Sequence, residues 1–155
     1  MKHVYFYKTS IGEIGIAAIG NKISNVFINE ESVMEKMVVQ ETTTIKDAYF
    51  QLIEYLNGSR KIFELEYIFN ATEFRKTVWS KLLEIPYGKT ISYKRLAENV
   101  GNPKASRAVG NANGKNPIPI FVPCHRVVKN DGKLGGYSLG LELKETLLHI
   151  EKEKM

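Results

Sequence analysis

Cys124 is the only cysteine of the chain, and His125 follows it directly. A thiol reacts as its thiolate, and a neighbouring imidazole or cation is the usual way to bring its pKa down from about 8.5 toward neutrality. Pro117, Pro119 and Pro123 precede the pair; proline fixes φ and lowers the entropy of holding a nucleophile in place. The run from Ile118 to Val128 reads as extended. In that conformation Cys124 and His125 point to opposite faces, and they would cooperate through a bridging water. Spacing alone also allows a blander account, a small buried thiol beside a histidine that plays no part in its chemistry.

The surrounding elements have to position this pair. Thr72 is a natural N-cap for a helix reaching Leu83, with Phe74, Val78, Trp79 and Leu82 on its buried face and Pro86 and Gly88 as its stop. Trp79 at this spacing is a core residue rather than a platform for stacking a base. Ser92 caps a second helix through Asn99, Gly101 makes the turn, and Asn102-Pro103 opens a third helix as cap residue and first-turn proline. Two short helices around a glycine turn make a helix-turn-helix. Arg126–Lys129 and Lys133–Gly136 could form a small wing around Asn130-Asp131-Gly132, and Ser138 caps a last helix to about Lys152. The third helix carries Lys104, Ala105, Ser106, Arg107, Ala108, Val109 and Gly110, with almost no long side chains to read base edges. Small residues let a helix approach a narrow groove closely, which points to the DNA minor groove; they would equally let it pack tightly against neighbouring helices.

The first half reads as scaffold. His3–Thr9, Glu13–Ala18 and Lys22–Ile28 alternate as three antiparallel strands with turns at Ser10-Ile11-Gly12 and Gly20-Asn21. A polar loop follows, with a short helix around Met34. Ile45–Leu56 then has helical spacing through Ala48, Leu52, Tyr55 and Leu56, stopped by Asn57-Gly58. The fold class is therefore α+β: residues 1–71 form a small antiparallel sheet with a helix, and residues 72–155 a mainly helical winged helix-turn-helix domain.

Composition narrows the partners. Residues 1–71 hold 7 Lys+Arg against 9 Asp+Glu, a net −2, whereas residues 72–155 hold 15 against 8, a net +7. A basic second half suits a polyanion, since phosphate contacts give affinity independent of sequence. One cysteine excludes an internal disulfide and a thiolate-rich zinc site. No apolar run resembles a signal peptide or a membrane span, and a free thiol without an export signal points to the cytoplasm.

Several motifs stand in fixed order: Ile85-Pro86-Tyr87-Gly88, Ser92-Tyr93, Ser106-Arg107-Ala108-Val109-Gly110, Asn116-Pro117, Pro123-Cys124-His125-Arg126-Val127, Gly135-Gly136-Tyr137-Ser138, and a last helix with Lys144-Glu145 and Glu151. Together they closely resemble the O6-alkylguanine-DNA alkyltransferases, over about half the chain from Thr72 onward. The resemblance implies single-use transfer of an alkyl group from O6-alkylguanine, and from O4-alkylthymine, to Cys124. It implies a monomer that binds alkylated double-stranded DNA through the minor groove, needs no cofactor and engages no membrane. Some members carry a zinc in the first domain; no metal is carried over here.

By that resemblance the catalytic set is Cys124, His125, Glu151, Asn116 and Tyr93. Glu151 would orient His125, giving a relay Cys124–water–His125–Glu151. Near the end of a helix a carboxylate is otherwise unfavourable for the dipole. Tyr93 would donate toward the purine N3. Asn116 would order the turn before the nucleophile, and Arg126 would brace the active-site strand. The substrate pocket would be Tyr93, the carbonyls of Cys124 and Val127 facing the exocyclic amine, and the rim Gly136, Tyr137 and Ser138. Ser138 thus has both a rim role and a capping role. DNA contacts would come from Lys104, Ala105, Ser106, Ala108 and Gly110, with Arg107 entering the base stack in place of an extruded nucleotide. A non-catalytic relative that only flags alkylated DNA would lack the cysteine, and a methylation-responsive transcription factor would need a further cysteine-rich metal domain.

Overall fold

Apolar alternation along Lys2–Thr9 (β1), Gly12–Ile19 (β2) and Lys22–Ile28 (β3) produces an antiparallel meander. The pairings Thr9↔Gly12 and Ile19↔Lys22 leave two-residue turns at Ser10-Ile11 and Gly20-Asn21. The computed structural model describes residues 1–30 and 36–154, so the short helix expected around Met34 lies outside the described residues. The chain divides into two units, Met1–Phe69 and Asn70–Met155. No helix among the described residues is long and apolar enough to cross a membrane.

In the first unit the expectation of a purely antiparallel sheet needs one correction. Val38–Val39 (β4) pairs parallel with β1, His3 opposite Val38, and the order is β3-β2-β1-β4. Two residues are too few to show a period of two, so this strand could not be read from the pattern. Helix α1, Thr43–Leu56, begins two residues before the expected Ile45 because Thr42 is its cap, with Oγ1 accepting from the Ile45 N–H at 3.3 Å. Ile45, Ala48, Leu52 and Tyr55 are fully buried and form the core with Val4, Ile14, Ile16 and Ile23.

In the second unit Thr72 caps α2, Glu73–Leu82, and Ser92 caps α3, Tyr93–Asn99, each through its side-chain oxygen. Val78, Trp79 and Leu82 of α2 are buried with Leu96 and Ala97 of α3 and with Val109 and Ala112 of α4, Ser106–Gly114. Each such large apolar side chain contributes roughly 1.5–3 kcal/mol on full burial. Trp79 is core, its Nε1 donating to the Ala112 carbonyl at 2.9 Å. Phe74, expected on the same face, is 39% exposed; it stands in the first turn, before the buried stripe begins.

Three further expectations change. The third helix starts at Ser106, not at Asn102-Pro103, and Ala105 stands at its cap without a side-chain bond. The Ala105 N–H reaches the Asn102 carbonyl at 3.0 Å, so Pro103 occupies the second position of a β-turn, which its fixed φ suits as well as a helix start. The wing is a loop: Lys129 N–H bonds the Lys133 carbonyl around a turn, but Val127–Val128 (β6) pairs parallel with Ile91–Ser92 (β5) instead. Finally, α5 spans Leu141–Glu153 with Gly140 at its cap (φ +100°), and Ser138 lies in the preceding turn, where Gly140 N–H bonds the Tyr137 carbonyl. Ser138 is therefore not the cap of the last helix, and its place beside the cavity described below remains.

Candidate active site and nucleic-acid face

Cys124–Arg126 is a single 3₁₀ turn, not the expected extended strand. The Arg126 N–H bonds the Pro123 carbonyl at 3.0 Å and the Val127 N–H closes on the Cys124 carbonyl. Pro123 lacks a donor of its own but leaves its carbonyl for this turn. The segment before it is clamped by one side chain. Asn116 accepts from the Ile118 N–H at 3.0 Å and donates to the Val122 carbonyl at 2.8 Å. Within that clamp Ile120 is buried at φ +76°, a conformation that costs a β-branched residue about 1–3 kcal/mol and persists only where its surroundings enforce it.

The two residues after Cys124, His125 and Arg126, enter a buried charged network. His125 Nε2 meets Glu151 Oε2 at 2.6 Å, and both side chains are at most 1% exposed. Arg126 grips the same carboxylate at both oxygens, Nε to Oε1 at 2.9 Å and Nη2 to Oε2 at 3.1 Å. Arg126 Nη1 also donates to the Ile85 carbonyl at 2.8 Å, and the Gly88 N–H reaches Glu151 Oε1 at 3.1 Å. The Ile85-Pro86-Tyr87-Gly88 turn, with Gly88 at φ +77°, thus supplies an acceptor to the arginine and a donor to the acid.

This arrangement sets the protonation states. Burial alone would push the Glu151 carboxyl up; the bonds and charges of His125 and Arg126 outweigh it and hold the group at about 2. Burial lowers His125, and the nearby Arg126 and Lys144 charges add to that, although Glu151 opposes them. With Arg126 already balancing the carboxylate, the imidazole rests neutral, with Nε2–H donated to Glu151 and Nδ1 as its basic nitrogen. Burial pushes the Cys124 thiol up, while the Asn116 side chain, the Tyr137 hydroxyl and the Lys144 ammonium pull it back. The resting pair is thiol and imidazole, so the nucleophile is generated when its proton is taken.

Lys144 belongs to the sequence motif, but no role followed for it there. It is fully buried and donates to the carbonyls of Val127 (2.8 Å), Gly136 (3.1 Å) and Leu134, joining α5 to the end of the active-site turn and to the rim loop. Burial lowers its pKa and the neighbouring Cys124 raises it. Lys144 and Glu151 share the buried stripe of α5 with Leu147. Two charges at i and i+7 on an apolar stripe were the signal that could have marked both.

Tyr93, Gly110, Asn113, Gly114, Gly136, Tyr137 and Ser138 line a cavity of about 210 Å³. Cys124, 4% exposed, adjoins it through two lining residues, its carbonyl accepting from Asn113 Nδ2 at 3.3 Å and its thiol beside the Tyr137 hydroxyl, and the thiolate raises both Tyr93 and Tyr137 beyond what burial does. Gly135 (φ +73°) could carry no side chain without strain, and an added Cβ would lie 3.2 Å from the Tyr93 hydroxyl. The carbonyls of Cys124 and Val127 already accept other donors, Cys124 from Asn113 and Val127 N–H, Val127 from Lys144.

Tyr93, Gly110 and Gly136 also wall a wider hollow of about 520 Å³ with Ser106, Arg107, Lys129 and Gly135. Arg107 is exposed, as are Ala108 and Lys104, while Ala105, Ser106 and Gly110 are half-buried. Ala108 is therefore not small in order to pack. Lys104 and Ala105 precede α4 and lie in the turn leading into it.

A family model described as the DNA-binding domain of 6-O-methylguanine DNA methyltransferase matches residues 73–153. The methylated-DNA–protein-cysteine methyltransferase of Methanosarcina acetivorans is 43% identical over 150 residues, covering 94% of this chain and 95% of that protein. The constitutive enzyme of Bacillus subtilis is 43% identical over 152 residues, covering 94% and 92%. Among solved structures, Mycobacterium tuberculosis O6-methylguanine methyltransferase superposes with a TM-score of 0.92 at 38% identity, covering 100% of this chain and 95% of the other. The structure of M. tuberculosis OGT in complex with DNA superposes with a TM-score of 0.92 at 39% identity, covering 98% and 94%. Identity of this order across nearly the whole of both chains, in both units and not only around the cysteine, settles the kinship: the chain belongs to the methylated-DNA–protein-cysteine methyltransferase family.

Proposed function

We propose that the protein repairs alkylated DNA by direct reversal, moving the alkyl group of O6-alkylguanine, and of O4-alkylthymine, irreversibly to Cys124. The observation that carries this reading is a buried thiol in the same turn as His125 and Arg126 of the Glu151 network, beside a cavity walled by Tyr93, Tyr137 and Ser138. A base must leave the duplex before a thiol can reach its O6 substituent. α4 enters the minor groove with Ser106, Ala108 and Gly110, Lys104 and Ala105 support it from the preceding turn, and Arg107 fills the vacated stack.

His125 takes the Cys124 proton, through a water in the relay, and Glu151 steadies the imidazolium that forms. The thiolate attacks the alkyl carbon in line with the C–O6 bond; the S–C bond forms as C–O6 breaks, and the electron pair leaves on the guanine. Tyr93 donates toward N3 and the Ser138 N–H toward O6 as that charge develops. Gly136 and Tyr137 wall the base, and the Val127 carbonyl, with one lone pair left beside Lys144, faces its exocyclic amine. The thioether product is no leaving group, so each chain acts once.

Residues 1–71 are scaffold and residues 72–155 hold the DNA face and the alkyl acceptor. A free thiol suits a reducing compartment, and we place the protein in the cytoplasm as a monomer. Duplex DNA with a radiolabelled methyl at guanine O6 tests this reading: label should pass to protein and leave unmodified guanine in the DNA. Label released as methanol or retained on the DNA would contradict it.

A further inference from the structure

One buried polar atom of the inner cavity has no part in the mechanism above. Asn113 lies on the buried face of α4 at 4% exposure and lines the cavity with Tyr93, Tyr137 and Ser138. Its Nδ2 donates to the Cys124 carbonyl at 3.3 Å, while its Oδ1 is buried without a hydrogen-bond partner among the described residues. The amide cannot simply be turned over, since Oδ1 would then face the carbonyl oxygen, acceptor against acceptor. A buried acceptor with no donor is destabilising until something supplies one.

The flipped base has such a donor. Guanine carries an exocyclic amine at C2 that hypoxanthine lacks, and a site built for it needs acceptors that are not already spent. Of the two carbonyls implied by family resemblance, that of Cys124 already takes the Asn113 Nδ2 and the Val127 N–H, and that of Val127 keeps one lone pair beside the Lys144 ammonium, which leaves room for a further acceptor. We propose that Asn113 Oδ1 accepts a hydrogen bond from the 2-amino group of the extruded base, which makes Asn113 a specificity-determining residue for guanine. The inference rests on the alkyl-transfer reading. Asn113 Nδ2 fixes the direction of the acceptor by its bond to the nucleophile's own carbonyl, so base recognition and thiol position are set by one side chain.

The test compares two duplexes, one with O6-methylguanine and one with O6-methylhypoxanthine, against the full chain and two variants. The single-turnover rate of methyl appearance on Cys124 is read for each. The parent should prefer the guanine duplex by about tenfold, the ratio that one hydrogen bond of ~1.4 kcal/mol gives. Asn113→Leu keeps the shape without the acceptor, and its preference should fall to about unity through loss of the guanine rate. Asn113→Ala likewise removes the acceptor, in a side chain small enough for the helix to keep, and its preference should fall in the same way. A Leu variant that keeps or raises the parental preference would show that Asn113 only braces the Cys124 carbonyl, and the inference would be overturned. An Ala variant that keeps the preference would overturn it equally, which decides the matter if the Leu variant does not fold, and so would a parent that shows no preference. A parent that takes methyl from neither duplex would instead sink the alkyl-transfer reading itself.

Discussion

Among the described residues of Met1–Phe69 the fully buried side chains are Val4, Ile14, Ile16, Ala17, Ile23, Ile45, Ala48, Leu52 and Tyr55, with Gln51 and Ser24 as the buried polar exceptions. In Asn70–Met155 an apolar core of Val78, Leu82, Leu96, Val109 and Leu147 surrounds His125, Arg126, Lys144, Glu151 and Asn113, all under 9% exposed. Removing a charge from water costs several kcal/mol even after relaxation, so a fold under selection for stability alone would resemble the first unit throughout. The first unit shows what the apolar pattern does unaided. Besides Cys124, the described residues of the second include four buried ionisable groups, His125, Arg126, Lys144 and Glu151, and every one is bonded within or beside the turn that holds Cys124.

The sharpest way to separate the units is to remove the nucleophile. Cys124→Ser should abolish alkyl transfer completely while duplex affinity, measured by mobility shift, stays nearly intact, because binding rests on Lys, Arg and α4. Transfer to any other residue of the variant would break the assignment.

Next come two substitutions of similar energetic weight. Leu52→Ala in α1 should cost about 2–5 kcal/mol through the cavity it leaves, without changing the transfer rate per folded molecule. Glu151→Gln should cost about 3–5 kcal/mol because Arg126 is left as an uncompensated buried charge, and it should also slow transfer without eliminating it. Urea denaturation and single-turnover kinetics on both variants measure this contrast; equal rates per folded molecule would make Glu151 purely structural. Acid adds a second reading of the same group. Holding Glu151 ionised down to about 2, against an ordinary 4.5, stabilises the fold by roughly 3 kcal/mol. A depressed carboxyl contributes this fully above pH 4.5 and loses it as pH falls toward 2, so the parent's acid unfolding should contain a component there that Glu151→Gln lacks.

Arg107→Ala should slow transfer from duplex DNA about ten- to a hundredfold, equivalent to losing roughly 1.4–3 kcal/mol of support for the extruded base. A free O6-alkylguanine base needs no extrusion, so its reaction with Cys124 should be almost unchanged. Slowing of both by one factor would place Arg107 in the shape of the pocket instead. The smallest effect concerns pH: a neutral imidazole is needed to take the thiol proton, and burial holds His125 below its ordinary 6.5. The transfer rate should therefore persist below pH 6.5 and fall only in more acid solution.

Caps and long periodic segments were legible in the sequence because they depend on near neighbours. Thr72 and Ser92 cap the helices assigned to them, and the two turns of the β1–β3 meander lie where Gly and Asn punctuate the pattern. What failed were features decided at a distance. Val38–Val39 is a strand only because β1 offers an edge, and Val127–Val128 pairs with Ile91–Ser92 rather than folding back as a wing. Asn102-Pro103 suits a β-turn and a helix start equally, and the structure uses the turn. At the site, the His125–Glu151 pairing was implied by resemblance and is found at 2.6 Å. The roles of Arg126 toward Glu151, of Lys144 toward three carbonyls and of Asn113 toward Cys124 were not legible, because each joins residues 11 to 25 positions apart or closes a loop whose path no local pattern sets.

The central claim is that Cys124 accepts one alkyl group and keeps it. Intact-protein mass spectrometry with peptide mapping, after incubation with excess O6-methylguanine duplex, tests it most directly. The account predicts that the reaction stops at one methyl group per chain, on the peptide containing Cys124, with no further gain on longer incubation. Continued consumption of methylated duplex by a fixed amount of protein, or methyl found on a peptide without Cys124, would contradict it.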